Sequence, residues 1–224
     1  MARYSRVQVI QQIHDQGMMP LFYHPDVEKG KNVLKAVYEG GGRLLEFTNR
    51  GDFAHEVFGI LVKYASAELP GMVIGAGSIH DAGTASLYMQ LGANFIVSHA
   101  INPEVAKVCN RRKVLWSPGC GSATEIANAE EMGADIVKVF PGNTLGPGFI
   151  SAVLGPSPWS SIMPTGGVSP TEENLRGWFD AGVVCVGMGS KLISKEILQH
   201  GKYDQLKEKV SETLELIQKI KGNA

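Results

Sequence analysis

Residues 135–143 read DIVKVFPGN. Asp135 to Phe140 has the β-branched and aromatic make-up of a short buried strand, and Pro141-Gly142 closes it. In its middle stands Lys138. A lysine in a strand most often marks an exposed edge or snorkels to a surface. Flanked by Val137 and Val139 it has a second meaning, because an unpaired ammonium in an apolar core carries a large desolvation cost. Burial lowers the pKa of an amine and leaves it nucleophilic near neutrality. The surrounding chain decides between these readings.

The same local grammar recurs on both sides. In GGRLLEF (41–47), GANFIV (92–97), GADIVKVF (133–140) and AGVVCVG (181–187), a glycine ends a helix and an apolar strand follows at once. Strands are expected at 18–23, 43–48, 72–76, 94–97, 113–116, 135–140, 161–163 and 183–187. Before them lies a short amphipathic helix at 5–16, capped by Ser5 and stopped by Gly17. Between them, helices are expected at 26–39, 52–68, 81–91, 103–110, 122–132, 149–154 and 170–180, with SPG (117–119) as a loop. Helices then fill the tail to about Ile220. Short, almost wholly apolar strands at this spacing argue for a parallel sheet covered by helices. Eight such steps in 224 residues favour a closed (β/α)8 TIM barrel, an α/β fold, with residues 1–224 as one domain. An open doubly wound sheet is the rival, but the glycine-rich GVVCVGMGS lies at the wrong end for a dinucleotide fingerprint.

Composition excludes several classes of function. Net charge is −1 with the two signs interspersed, so no electrostatic footprint for nucleic acid or an anionic membrane exists. Arg111-Arg112-Lys113 suits a solvated helix end, where the helix dipole favours cations. The three cysteines, Cys109, Cys120 and Cys185, are odd in number and widely spaced, which fits neither a disulfide framework nor a CxxC motif. They point to a reducing compartment, and Cys120 reads as a small neutral thiol. No apolar stretch of signal or membrane-spanning length opens the sequence. The expectation is a cytoplasmic protein. No His/Asp/Glu grouping suggests a metal, and no cofactor is expected.

In a barrel, alternate strand residues face the interior and functional groups gather at the strands' C-terminal ends. In RLLEFTNR (43–50), Leu44, Glu46 and Thr48 share one face, while Leu45 and Phe47 belong against the helices. Glu46 therefore points inward. Lys138 shares its face with Ile136 and Phe140, so it points inward too. A buried ion pair of the two is the bland explanation, but such a pair offers little stability over packed apolar side chains. Arg50, just past the strand, is placed to bind a carboxylate bidentately. In MPTGGVSP (163–170), Thr165 supplies a hydroxyl at a strand tip, and Gly166-Gly167 lets backbone amides approach a ligand. VGMGS (186–190) ends the last strand in the same style, with Ser190 expected to open a short helix. Loops after strands seven and eight plus a helix N-terminus are where barrels commonly bind phosphate.

These segments resemble a known family. GGRLLEFTNR, VIGAGSI, VKVFPG, MPTGGVSP and VGMGS are similar, in order, to the class I 2-keto-3-deoxy-6-phosphogluconate and 4-hydroxy-2-oxoglutarate aldolases, over roughly residues 18–198. The resemblance implies a (β/α)8 barrel, usually a homotrimer, that forms a Schiff base with a small keto acid. It implies Lys138 as the Schiff-base lysine and Glu46 as general acid/base. Arg50, Thr165 and Ser78 would hold the keto-acid end, Ser78 standing where the family often has threonine. Gly166, Gly167, Gly189 and Ser190 would bind phosphate. The implied reaction cleaves a 2-keto-3-deoxy-6-phospho sugar acid to pyruvate and glyceraldehyde 3-phosphate. The alternative is 4-hydroxy-2-oxoglutarate or another unphosphorylated 2-keto-4-hydroxy acid. A phosphosugar isomerase or a non-enzymatic phosphometabolite-binding barrel are further rivals, and an inward Glu/Lys pair argues against both.

Three departures bear on specificity. SHAI (98–101) stands where many relatives have SPG and puts His99 at the mouth. WSPGCGS (116–122) brings Ser117 and Cys120 where they often have PG(I/V)xT. MPLFYHPD (19–26) offers Phe22, Tyr23 and His24 in place of a basic residue.

Overall fold

The computed structural model describes residues 2–222. Nine parallel strand segments form the sheet: β1 (Met18–Phe22), β2 (Leu44–Thr48), β3 (Val73–Gly77), β4 (Phe95–Val97), β5 (Leu115–Ser117), β6 (Gly119–Cys120), β7 (Val137–Val139), β8 (Ile162–Pro164) and β9 (Val186–Met188). β5 through β1 to β9 are paired in the order β5-β4-β3-β2-β1-β9, and β6-β7-β8 form the rest. A parallel bridge between Thr165 and Gly187 joins β8 to β9. The fifth stave is one run of chain that changes neighbour at Pro118: β5 pairs with β4 and β6 with β7. Proline has no N–H to donate to the ladder, but its carbonyl accepts from Lys138 N at 2.9 Å. SPG is thus part of the fifth stave, correcting its expected role as a loop. The result is an eight-staved closed barrel.

The helices are α1 (Arg6–Gln16), α2 (Val27–Glu39), α3 (Ala54–Glu68), α4 (Ala82–Gln90), α5 (Pro103–Arg112), α6 (Ala123–Glu131), α7 (Gly142–Leu154), α8 (Glu172–Asp180), α9 (Lys195–His200) and α10 (Tyr203–Lys221). Side-chain caps define several starts: Ser5 with Gln8 makes a capping box, and Asp26, Asp81, Asn102 and Ser122 each accept from a first-turn N–H. α7 begins about two turns before the expected 149–154, at Gly142. Gly146, with φ 72°, breaks it where Pro147 follows, which is why that stretch reads as loop in sequence.

Two apolar layers sort the strand residues as parity requires. Leu44, Val73, Phe95, Leu115, Ile136 and Met163 fill the barrel interior. Leu45, Phe47, Val137 and Val139 pack outward under the helices. α1 lies beneath the barrel and seals it with Val9 and Ile13, which join the interior cluster. The stripe Leu206, Val210, Leu214 and Ile217 of α10 is buried, and this helix packs on α2 and α8. All three cysteines are buried, and burial pushes each thiol up to about 12, so none is a nucleophile near neutrality.

Candidate active site

Lys138 is 6% exposed and Glu46 1% exposed, and both lie on the inward face of their strands. Counting staves around the barrel, Lys138 is on the sixth and Glu46 on the second, so they face each other across the lumen. Among the described residues they form no ion pair within 4.0 Å, which removes the core-ion-pair explanation. Glu46 Oε2 is buried without a hydrogen-bond partner. Nothing in the packing explains a buried, unpartnered carboxylate. Lys138 Nζ lies 5.2 Å from the centre of the Phe140 ring.

The glycines of VIGAGSI have a steric purpose that parity reveals. Gly75 and Gly77 occupy inward positions of β3, beside Glu46 and Thr48 of β2 in register. A Cβ on Gly75 would overlap the Phe95 ring, and one on Gly77 would overlap the Glu46 carboxylate. Gly77 makes the space in which Glu46 sits. Ser78 follows with φ 58°, a left-handed conformation uncommon for a side-chain-bearing residue.

A cleft of about 400 Å³ opens at Phe140, against whose ring Lys138 lies; it is bordered by Leu21, Tyr23, Arg50, Phe140 and the loops after β8 and β9, and Lys138 and Glu46 are not part of its lining. Thr165, Gly166, Gly167, Gly189 and Ser190 all line it. Thr165 Oγ1 is buried and unpartnered. Gly166 and Gly167 have φ 95° and 74°, and a Cβ on Gly167 would press on Asn143. Ser190 does not open a helix. Leu192 and Ile193 N donate to Gly189 O at 2.9 Å, closing a turn, and α9 starts only at Lys195 behind its cap Ser194.

Lys191 and Lys195 also border this cleft. Nothing in the sequence singles them out; the turn after β9 and the start of α9 carry them to the glycine loops. Phe22 borders the cleft too, but its ring packs edge-on against Phe47 in the barrel–helix layer, with centroids 5.6 Å apart. Leu21 and Tyr23 are its neighbours in the cleft wall. Ser78, His99 and Ser117 lie outside the cleft lining, on the staves across the mouth from the glycine loops. Ser117 Oγ is buried and unpartnered.

An aldolase family model described as KDPG and KHG aldolase matches residues 9–209. The chain belongs to this family. It is 27% identical over 215 residues to the 2-dehydro-3-deoxy-phosphogluconate aldolase of Haemophilus influenzae, covering 96% of this chain and 99% of that one. The fold is shared with the KDPG aldolase of Legionella pneumophila, whose structure captured pyruvate as a covalent carbinolamine: TM-score 0.82, 23% identity, 90% and 96% of the two chains covered. The Zymomonas mobilis ZM4 2-keto-3-deoxy-6-phosphogluconate aldolase with 3-phosphoglycerate superposes at TM-score 0.76 with 25% identity, covering 91% and 94%. As a KDPG/KHG aldolase the chain is a carbon–carbon lyase of the Schiff-base class.

Proposed function

We propose that this aldolase cleaves a phosphorylated 2-keto-3-deoxy sugar acid, with Lys138 as the Schiff-base lysine and Glu46 as the general acid/base. One observation carries the reading: two buried ionisable groups face each other across the lumen, beside a cleft walled by two glycine loops and two lysines. The Lys138 amine attacks the C2 ketone; loss of water from the carbinolamine gives an iminium. Glu46 takes the C4 hydroxyl proton, the C4–O electrons close a carbonyl, and the C3–C4 pair moves into the iminium to give an enamine. The aldehyde leaves. Protonation of the enamine at C3 and hydrolysis return pyruvate and the free amine.

The ends of the substrate are assigned by charge. Arg50 and Ser78 hold the keto-acid carboxylate, and the Thr165 hydroxyl meets the keto acid from the cleft side. The amides of Gly166, Gly167 and Gly189, with the Ser190 hydroxyl, receive the phosphate. Lys191 and Lys195 supply cations that the segment after β1 lacks. A charge-assisted hydrogen bond contributes about 1.5–3 kcal/mol, roughly 10- to 100-fold in affinity. Replacing Lys191 and Lys195 together by alanine should therefore raise KM for a phosphorylated substrate at least ~10-fold. KM for 4-hydroxy-2-oxoglutarate should move far less, and steady-state pyruvate release measures both.

Names of relatives support the phosphorylated tail: the Haemophilus protein acts on a phosphogluconate derivative, and the Zymomonas structure holds 3-phosphoglycerate. A substrate panel coupled to pyruvate detection tests the assignment. The phosphorylated gluconate- or galactonate-type acid should show the highest kcat/KM; faster turnover of an unphosphorylated 2-keto-4-hydroxy acid overturns it. A homotrimer, implied by the family resemblance, is part of the proposal and is tested by sedimentation equilibrium. Three buried free thiols support a reducing, cytoplasmic setting, and no helix among the described residues is long and apolar enough to cross a membrane.

A further inference from the structure

Two imidazoles meet at the mouth on the side away from the cleft. His80 follows β3 and His99 follows β4; their ring centroids are 4.5 Å apart with the planes tilted by 57°. The two loops are tied together. Ile79 N donates to Val97 O at 3.2 Å, and Asn102 Nδ2 donates to His80 O at 2.9 Å. On its other flank, the His99 backbone lies against Gly119, where a Cβ would overlap the His99 carbonyl. Gly119 is in turn the register partner of Lys138. Passing round the barrel, His80, His99, Gly119 and Lys138 therefore come from successive staves, three to six.

This order divides the mouth. Lys138 and Glu46 mark two opposite staves, the glycine cleft lies over the arc β8-β9-β1 between them, and the histidines lie over the other arc, β3-β4. A 2-keto-4-hydroxy acid joined to Lys138 through C2 runs in two directions from that carbon. C3 to the phosphate extends one way and the C1 carboxylate the other. With the tail over the cleft, the carboxylate turns toward the arc that holds Ser78, His80 and His99.

We infer that His99, with its ring set by tilted contact with His80, is a specificity-determining residue that donates an imidazole N–H to the C1 carboxylate of the keto acid. This assignment rests on the Lys138 and glycine-cleft reading above. An imidazole donates one N–H when neutral and two when protonated, so the contact is available in either state. Burial, then the positive charges of His80 and Lys138, hold the His99 pKa below the ordinary imidazole value. His80 acts through His99 and is a positioning residue.

The test isolates the pyruvate end. Enzyme and pyruvate alone exchange the methyl protons of pyruvate with D2O through the iminium and enamine, without any aldehyde. His99→Ala should raise the pyruvate KM of this exchange about tenfold, the low end for a hydrogen bond to a charged group. His99→Gln, which keeps an N–H donor, should recover part of the loss. Inorganic phosphate, a competitor for the substrate tail at the cleft, should inhibit cleavage of the phosphorylated substrate by wild type and both variants with the same constant. An unchanged pyruvate KM in His99→Ala overturns the inference, whatever happens to cleavage of the full substrate. A phosphate constant that shifts as much as the pyruvate KM overturns it too, by showing a general disturbance. Absence of exchange in the wild type is a different outcome: it removes the Lys138 reading beneath.

Discussion

Lys138→Met should lose pyruvate release by about 10⁴- to 10⁶-fold, the scale on which deleting an enzyme's covalent nucleophile acts. The same change should leave the fold intact and raise its melting temperature. Methionine nearly matches the volume of the lysine stem, so the lumen stays filled. It also removes a buried polar amine that is 6% exposed and has no carboxylate within 4.0 Å among the described residues. A gain of about 1 kcal/mol corresponds to roughly 2–4 °C in a domain of this size. Opposite signs in activity and stability distinguish a retained chemical group from a structural one. Pyruvate-coupled kinetics and a thermal melt on one preparation measure both. A variant that unfolds, or one that keeps more than a hundredth of its activity, contradicts the assignment.

The second large effect belongs to a glycine. Gly77→Ala puts a methyl where the Glu46 carboxylate lies, inside a parallel ladder that leaves the backbone little room to yield. Displacing a general acid/base costs about 10²- to 10⁴-fold in kcat, and overpacking a closed core costs about 1–3 kcal/mol. Gly75→Ala is the control. It sits two residues earlier on the same face and meets the Phe95 ring instead. It should lose comparable stability while kcat changes less than about threefold, because Phe95 belongs to the apolar interior. Equal losses of kcat in both variants would mean that Gly77 serves packing alone.

What the sequence makes legible follows from period and parity. Leu44, Glu46 and Thr48 alternate with Leu45 and Phe47, so one strand suffices to send Glu46 inward, and Ile136 does the same for Lys138. The layers of the structure agree. Repeated glycine-to-strand steps made the barrel readable. Features that depend on a neighbour distant in sequence were not. Pro118 looks like a loop because it cannot donate to a ladder, yet its carbonyl accepts from Lys138 N of the next stave. Gly146 and Pro147 disguised the first half of α7. Gly75 and Gly77 look alike in sequence, and only β2 and β4 show what each makes room for. Lys191, Lys195 and His80 were silent because charged or polar residues ordinarily face water. Phe22 was read as a specificity residue; it borders the cleft while its ring packs edge-on against Phe47.

The most direct test of the central claim is reductive trapping. Enzyme incubated with pyruvate and borohydride, digested and mapped by mass spectrometry, should carry one reduced pyruvyl adduct, on the peptide containing Lys138. Lys138→Met treated identically should carry none. An adduct on Lys191, Lys195 or any other lysine, or the absence of an adduct from active enzyme, would contradict the account.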